Sequence, residues 1–290
     1  MRHSSTKRKN DMQPIRTKSY RDVCVTALLM LASLFMSHAP AADFAANFGG
    51  QTYLNFYAQR STTDSAGNVY VAGHSHDDPI VIGDIRVTRI GGGDYLILKF
   101  DPTGTLVWVK NFGGNGAFST IQELTVDAAE NVYVGGYFSS SDQTFPALTK
   151  LGFEDAFVQK LGKDGNTIWA RNFGGPQASA YCTSIAIDAA SIVYVSGQFR
   201  GANLTSPALT KLGTNDAFAF KLDSAGKTVW TKSFGGIEAA TYVSHIAIDP
   251  ALNVYLVGSF DAANLTMPKL TKFGLIDAFV LKLDSIGEML

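Results

Sequence analysis

Cysteine is nearly absent, with only Cys24 and Cys182 in 290 residues, so no disulfide framework can hold the fold. Charged residues make up just 17% against 46% hydrophobic, which excludes a disordered, solvating chain and calls for a packed core. No apolar run reaches the roughly 20 residues of a membrane span; Val23 to Met36 is uncharged and mostly apolar but has only 14. An excess of basic charge is also missing once the first 41 residues are set aside. They hold seven Lys/Arg and two acids, so 24 basic and 25 acidic residues become 17 and 23, a net charge of about −6. That sign disfavours nucleic acid and anionic membrane surfaces as partners. Histidine is scarce, with His74, His76 and His245 alone beyond residue 41.

The first segment has its own logic. A basic stretch over residues 1–22, the apolar run, and Ala39-Pro40-Ala41 follow in the order of a cleavable export signal. Residues 1–41 are therefore expected to be a signal peptide. Secretion, the periplasm or the cell surface is the expected location, with no membrane span after cleavage. Cys182 then has no partner in the chain and reads as a small buried hydrophobe.

What is present in abundance is Gly (28), Phe (19) and Tyr (11), a composition of short strands and tight turns. It is arranged as a repeat. Phe-Gly-Gly recurs at 48–50, 112–114, 173–175 and 234–236. Asp94, Asp155, Asp216 and Asp277 recur at intervals of 61, each before an apolar run. Tyr70, Tyr133, Tyr194 and Tyr255 occupy one position, and all three tryptophans, Trp108, Trp169 and Trp230, occupy another. Each copy reads as four strands, placed in the third copy at 183–188, 193–197, 216–222 and 227–234. The first pair is joined by a turn at 189–192. The second pair is joined by Asp223-Ser224-Ala225-Gly226, whose last residue suits a left-handed conformation.

Four antiparallel strands with apolar residues on both faces make one blade of a β-propeller, stable only when stacked on its neighbours. The expected fold is all-β: four blades of about 61 residues at 51–114, 115–175, 176–236 and 237–290, within a domain spanning 42–290. Residues 43–50 resemble a fourth strand, and the last copy stops at Leu290 just short of its own. The expectation is that 43–50 complete the last blade beside 277–283 and close a four-bladed ring. The alternatives are a fragment of a larger propeller or a half-ring that dimerises.

The motifs Gly67-Asn68-Val69-Tyr70-Val71-Ala72-Gly73, Phe145-Pro146, Asp155-Ala156-Phe157-Val158-Gln159-Lys160-Leu161, Asp223-Ser224-Ala225-Gly226, Trp230 and Gly235-Gly236 resemble the SBBP repeats of exported bacterial and archaeal proteins. That family is named for seven-bladed propellers, and the resemblance covers residues 43–290. It implies secreted or cell-surface proteins and supplies no catalytic residues; four copies rather than seven are a departure from it.

Several residues could carry function. The four repeat aspartates, with Lys99, Lys160, Lys221 and Lys282 five residues on, could ring one mouth as cation sites or a polar funnel. Their plainer role is accepting backbone N–H bonds. The long loops after the second strand share Pro-(Ala/Lys)-Leu-Thr-Lys-(Leu/Phe)-Gly at 146–152, 207–213 and 268–274 and could bind a partner or cover blade ends. His74, His76 and Asp77 are metal candidates that break the repeat symmetry, and Gly91 to Gly93 lack the helix that a phosphate site needs. Because polar residues mostly repeat with the blades, no catalytic residue or cofactor is expected. The expected role is a non-enzymatic scaffold for a protein or glycan at the cell surface. The rival is a propeller polysaccharide hydrolase or lyase using carboxylates in the central channel.

Overall fold

A computed structural model describes residues 56–75, 80–82 and 85–290. The expected signal peptide and the closing strand at 43–50 lie outside these residues, as do His76 and Asp77. The first repeat contains β1 (Phe56–Thr63), β2 (Val69–Ser75), β3 (Ile80–Ile82), β4 (Ile85–Val87), β5 (Asp94–Phe100) and β6 (Leu106–Phe112). The second contains β7 (Phe118–Val126), β8 (Val132–Ser139), β9 (Glu154–Leu161) and β10 (Thr167–Phe173). The third contains β11 (Ser179–Ile187), β12 (Val193–Arg200), β13 (Leu204–Thr205), β14 (Ala208–Leu209), β15 (Asn215–Leu222) and β16 (Thr228–Phe234). The fourth contains β17 (Ala240–Ile248), β18 (Val254–Asp261), β19 (Leu265–Thr266), β20 (Lys269–Leu270) and β21 (Ile276–Leu283).

Each of the first three repeats forms an antiparallel sheet of four main strands in sequence order, such as β1-β2-β5-β6. The fourth has three such strands, and Met289 begins to pair with Leu283 where a fourth would start. Successive sheets touch through single parallel pairs, Gly93 with Phe118, Glu154 with Ser179 and Asn215 with Ala240. The first strands β1, β7, β11 and β17 lie side by side in turn. The architecture is all-β, with successive fans of the propeller kind.

First strands begin earlier than the alternation suggests: β11 starts at Ser179 rather than 183 and ends before Asp188. The cause is a bulge between Cys182 and Ser184, repeated at 58/60, 121/123 and 243/245. One extra residue breaks the period of two at that point.

The core lies between sheets. Tyr133, Ala156, Val158 and Trp169 of the second repeat pack on Cys182, Ile185, Val195 and Phe220 of the third. Tyr194, Ala217 and Ala219 pack likewise on Val243, Leu256 and Phe279 of the fourth. The face that receives the next sheet is fully covered in repeats one to three, with Ile97, Val158 and Ala219 at 0% exposure. In the fourth repeat the equivalent Val280 is 70% exposed, beside exposed Val257 and Ile276. A ring closed at four blades would cover this face with the first repeat, and no such closure is seen among the described residues.

Candidate functional site

Repetition separates the residues that every blade needs from those that vary, and the structure shows how the repeated ones are used. Asp94 accepts backbone N–H bonds from Ile90 (2.6 Å) and Gly91 (2.8 Å) and a side-chain bond from Asn111 (2.8 Å). Asp155 does the same with Leu151, Gly152 and Asn172. Asp216 and Asp277 accept from Leu212 and Gly213 and from Phe273 and Gly274. Burial pushes the Asp155 and Asp216 carboxyls above the ordinary range, partly offset by those hydrogen bonds.

The partner lysines do not join the aspartates in a funnel. They stand five residues along the same strand, about 17 Å away at the strand rise. Lys99, Lys160, Lys221 and Lys282 lie instead over the rings of Tyr70, Tyr133, Tyr194 and Tyr255 at 5.1 to 5.5 Å. Those tyrosines donate their hydroxyls to Asp64, Asp127, Asp188 and Asp249 at the start of the first turn.

Each tryptophan links one repeat to the next. The indole N–H groups of Trp108, Trp169 and Trp230 donate to the carbonyls of Lys163, Ser224 and Ser285 at 3.0, 2.9 and 3.2 Å. The glycine ending that turn is needed twice over. Gly226 has φ of 76°, and a Cβ there would lie 2.7 Å from the Trp169 ring.

The long loops are also joints. Gly113, Gly174 and Gly235 donate to the carbonyls of Phe145, Ser206 and Met267 in the next repeat, and Phe145, Ser206 and Met267 donate back. Asn203 and Asn264, in two Asn-Leu-Thr sequences, accept from the backbone of Lys211 and Lys272 within the loop.

The varying residues gather on the inner strands. Immediately after each bulge stand Arg60, Glu123, Ser184 and His245, one per repeat. Ser184 Oγ lies 3.1 Å from Glu123 Oε2 and 3.0 Å from His245 Nδ1. With its one proton given to Glu123, Ser184 accepts from the imidazole N–H. A hydrolytic triad places the imidazole between carboxylate and hydroxyl. Here the hydroxyl is in the middle, and Ser184 is 1% exposed. The three side chains therefore form a strut across three repeats. Next to it Cys182 is fully buried, and burial, with Glu123 adding to it, pushes its thiol far up and leaves it unreactive.

A second varying layer lies at the end of the fans that carries the long loops. Tyr57, Thr120, Tyr181 and Tyr242 share one register, facing His74, Tyr137, Gln198 and Ser259 on the second strands. His74, the described member of the metal candidates, stacks on Tyr57 with ring centroids 5.0 Å apart. Among the described residues no three His, Cys, Asp or Glu side chains come together as a metal site. Tyr181 meets the Tyr137 ring edge-on and donates to Glu154. Arg200 lies over the Tyr181 ring at 5.6 Å and donates through Nη2 to its hydroxyl at 3.0 Å. Burial raises the Tyr181 pKa, and Glu154 adds to it.

Between repeats three and four this layer opens into a cleft of ≈ 480 Å³, lined by Tyr181, Gln198, Arg200, Thr214, Asn215 and Tyr242 together with Ala240. Sequence reasoning passed over this layer. The available signal was the 61-residue spacing from Tyr181 to Tyr242, the interval that also marks the structural positions.

Among known families, residues 229–265 match SBBP, a beta-propeller repeat. An uncharacterized WD repeat-containing protein of Acanthamoeba polyphaga mimivirus is 28% identical over 160 residues, 48% of this chain. The match takes in only 11% of that much longer relative. The matched segment, which runs from β16 into β19, is similar to an SBBP-type β-propeller repeat, and its residues recur through the four successive fans.

Proposed function

We propose that the chain is an exported, non-enzymatic propeller scaffold that binds a protein or glycan outside the cytoplasm through the end carrying its long loops. One observation carries this reading. The repeated polar residues are consumed in holding each fan together and in joining it to the next, while Tyr57, Tyr181, Gln198, Arg200, Asn215 and Tyr242, which not every blade carries, collect at that end and leave a cleft. A scaffold needs this division: a rigid repeat beneath and a variable surface above. The repeat match and the WD-repeat relative support a propeller used for interaction. Export rests on residues 1–41.

The test is a screen of the purified protein against protein and glycan arrays, with a reporter fused to residues 1–41 for export. A saturable partner whose binding is weakened by substitutions at Tyr181 and Tyr242 is expected. Turnover of a polysaccharide, lost on Glu123→Gln, would replace the scaffold with a hydrolase or lyase.

A further inference from the structure

We propose that the cleft between the third and fourth repeats is a subsite for an acidic saccharide, with Arg200 holding the sugar carboxylate and Tyr181 and Tyr242 supporting the ring. This rests on the scaffold reading and names the ligand class for the same surface.

Blade architecture does not demand these residues. Where Tyr57, Tyr181 and Tyr242 stand, the second repeat has Thr120; where Arg200 stands, its neighbours have Ser139 and Asp261; where Asn215 stands, they have Glu154 and Ile276. A half-buried and an exposed tyrosine at a position that tolerates threonine are not core requirements. Tyr242 is 39% exposed.

The chemistry of the lining is specific. Arg200 is its only charged residue, in a protein whose residues beyond 41 carry about −6. Among the described residues Arg200 forms no salt bridge. One of its five N–H donors is given to the Tyr181 hydroxyl. That bond and the stacking on the Tyr181 ring hold the guanidinium plane in place. The Glu154 carboxylate of the second repeat is engaged by the Tyr181 hydroxyl. A planar, pre-oriented fork with free donors matches a carboxylate in two-point geometry.

The remaining lining favours a polyhydroxylated ring over an apolar ligand. Tyrosine combines an apolar face with a polar tip; Gln198 brings a side-chain donor and acceptor, and Thr214 Oγ1, whose proton is given to the Ala239 carbonyl, brings an acceptor suited to hydroxyls. The cleft volume lies in the range of small-ligand sites.

The experiment is calorimetric titration of the protein with a galacturonic-acid trisaccharide, its methyl ester and the neutral galactose trisaccharide. Saturable binding of the acid is expected. It should fall at least tenfold in Arg200→Met and in Tyr242→Ala, and weaken with added salt. The methyl ester should bind at least tenfold more weakly. Both side chains are exposed or half-exposed, and an unchanged thermal midpoint in each variant shows that folding is intact. No binding of the acid, or equal binding by ester and acid, overturns the proposal. So does wild-type affinity in Arg200→Met. A different partner found on the arrays and insensitive to Arg200→Met would overturn this subsite while leaving the scaffold standing. Cleavage of the trisaccharide would overturn the scaffold instead.

Discussion

Leu252 has a backbone φ of 63°, as do its counterparts Glu130 (61°) and Ser191 (58°), while the first repeat places Gly67 there at 83°. A side chain in this left-handed region costs roughly 1–2 kcal/mol, part of which glycine returns through its looser unfolded chain. Glu130 has a reason to stay, because it holds Lys99 at 2.8 Å. Leu252→Gly is therefore expected to stabilise the protein by about 0.5–1 kcal/mol in urea titration, and Glu130→Gly to gain less.

Asp127 gives a pH-dependent case. Burial pushes its carboxyl up, but bonds from Asn131, Ser191 and Tyr133 outweigh this and leave it below the ordinary value. With the folded pKa below the unfolded one, its contribution is fully present above the ordinary carboxylate range. It is lost as pH falls through the depressed folded value. Asp127→Asn should cost about 1–2 kcal/mol at pH 7, and the gap to wild type should close in denaturation series taken below pH 4.

At the scale of elements, the joint between Trp169 and the next turn is the unit of cohesion. Gly226→Ala forces a Cβ to within 2.7 Å of the Trp169 ring at φ 76° and should cost at least ~2 kcal/mol. Trp169→Phe removes the bond to Ser224 and leaves space, at a cost of about 2 kcal/mol. The double variant should be more stable than the sum of the two losses, because the smaller ring makes room for the new methyl. Strict additivity in the cycle would mean that the ring and the turn are not coupled.

The tryptophan register and the turn glycine are both legible as a repeat, since spacing alone exposes them. Their pairing across repeats is not, because periodicity within one copy says nothing about which neighbour each side chain meets. The strand cores are legible from alternation, and the turns from their Asp, Asn and Gly. The bulges are hidden for a physical reason: an inserted residue such as Thr183 resets the alternation, so the first half of β11 looks out of phase. That half holds Tyr181, and with it the variable layer. The Asp–Lys ring fails similarly. Five residues look close in sequence but span nearly the whole strand.

For the whole molecule, the uncovered face of the fourth repeat is the place where one residue position is tested in two environments. Val158 and Val280 occupy the same register, the first at 0% exposure between two sheets and the second at 70%. Val158→Lys would bury a charge with no partner and should cost about 3 kcal/mol or more; Val280→Lys should change stability by no more than ~0.5 kcal/mol. The same face joins Val257, Ile276 and Val280 in one exposed apolar surface, which favours association. A preparation of residues 42–290 is expected to self-associate with rising concentration in size exclusion with light scattering, and Val280→Lys should return it to monomer. If wild type stays monomeric but begins to associate when residues 43–50 are deleted, the N-terminal segment is protecting this face within the same chain. In that case Val280→Lys should destabilise the undeleted protein and leave the deleted one unaffected, since a lysine is harmless only where the valine is open to water.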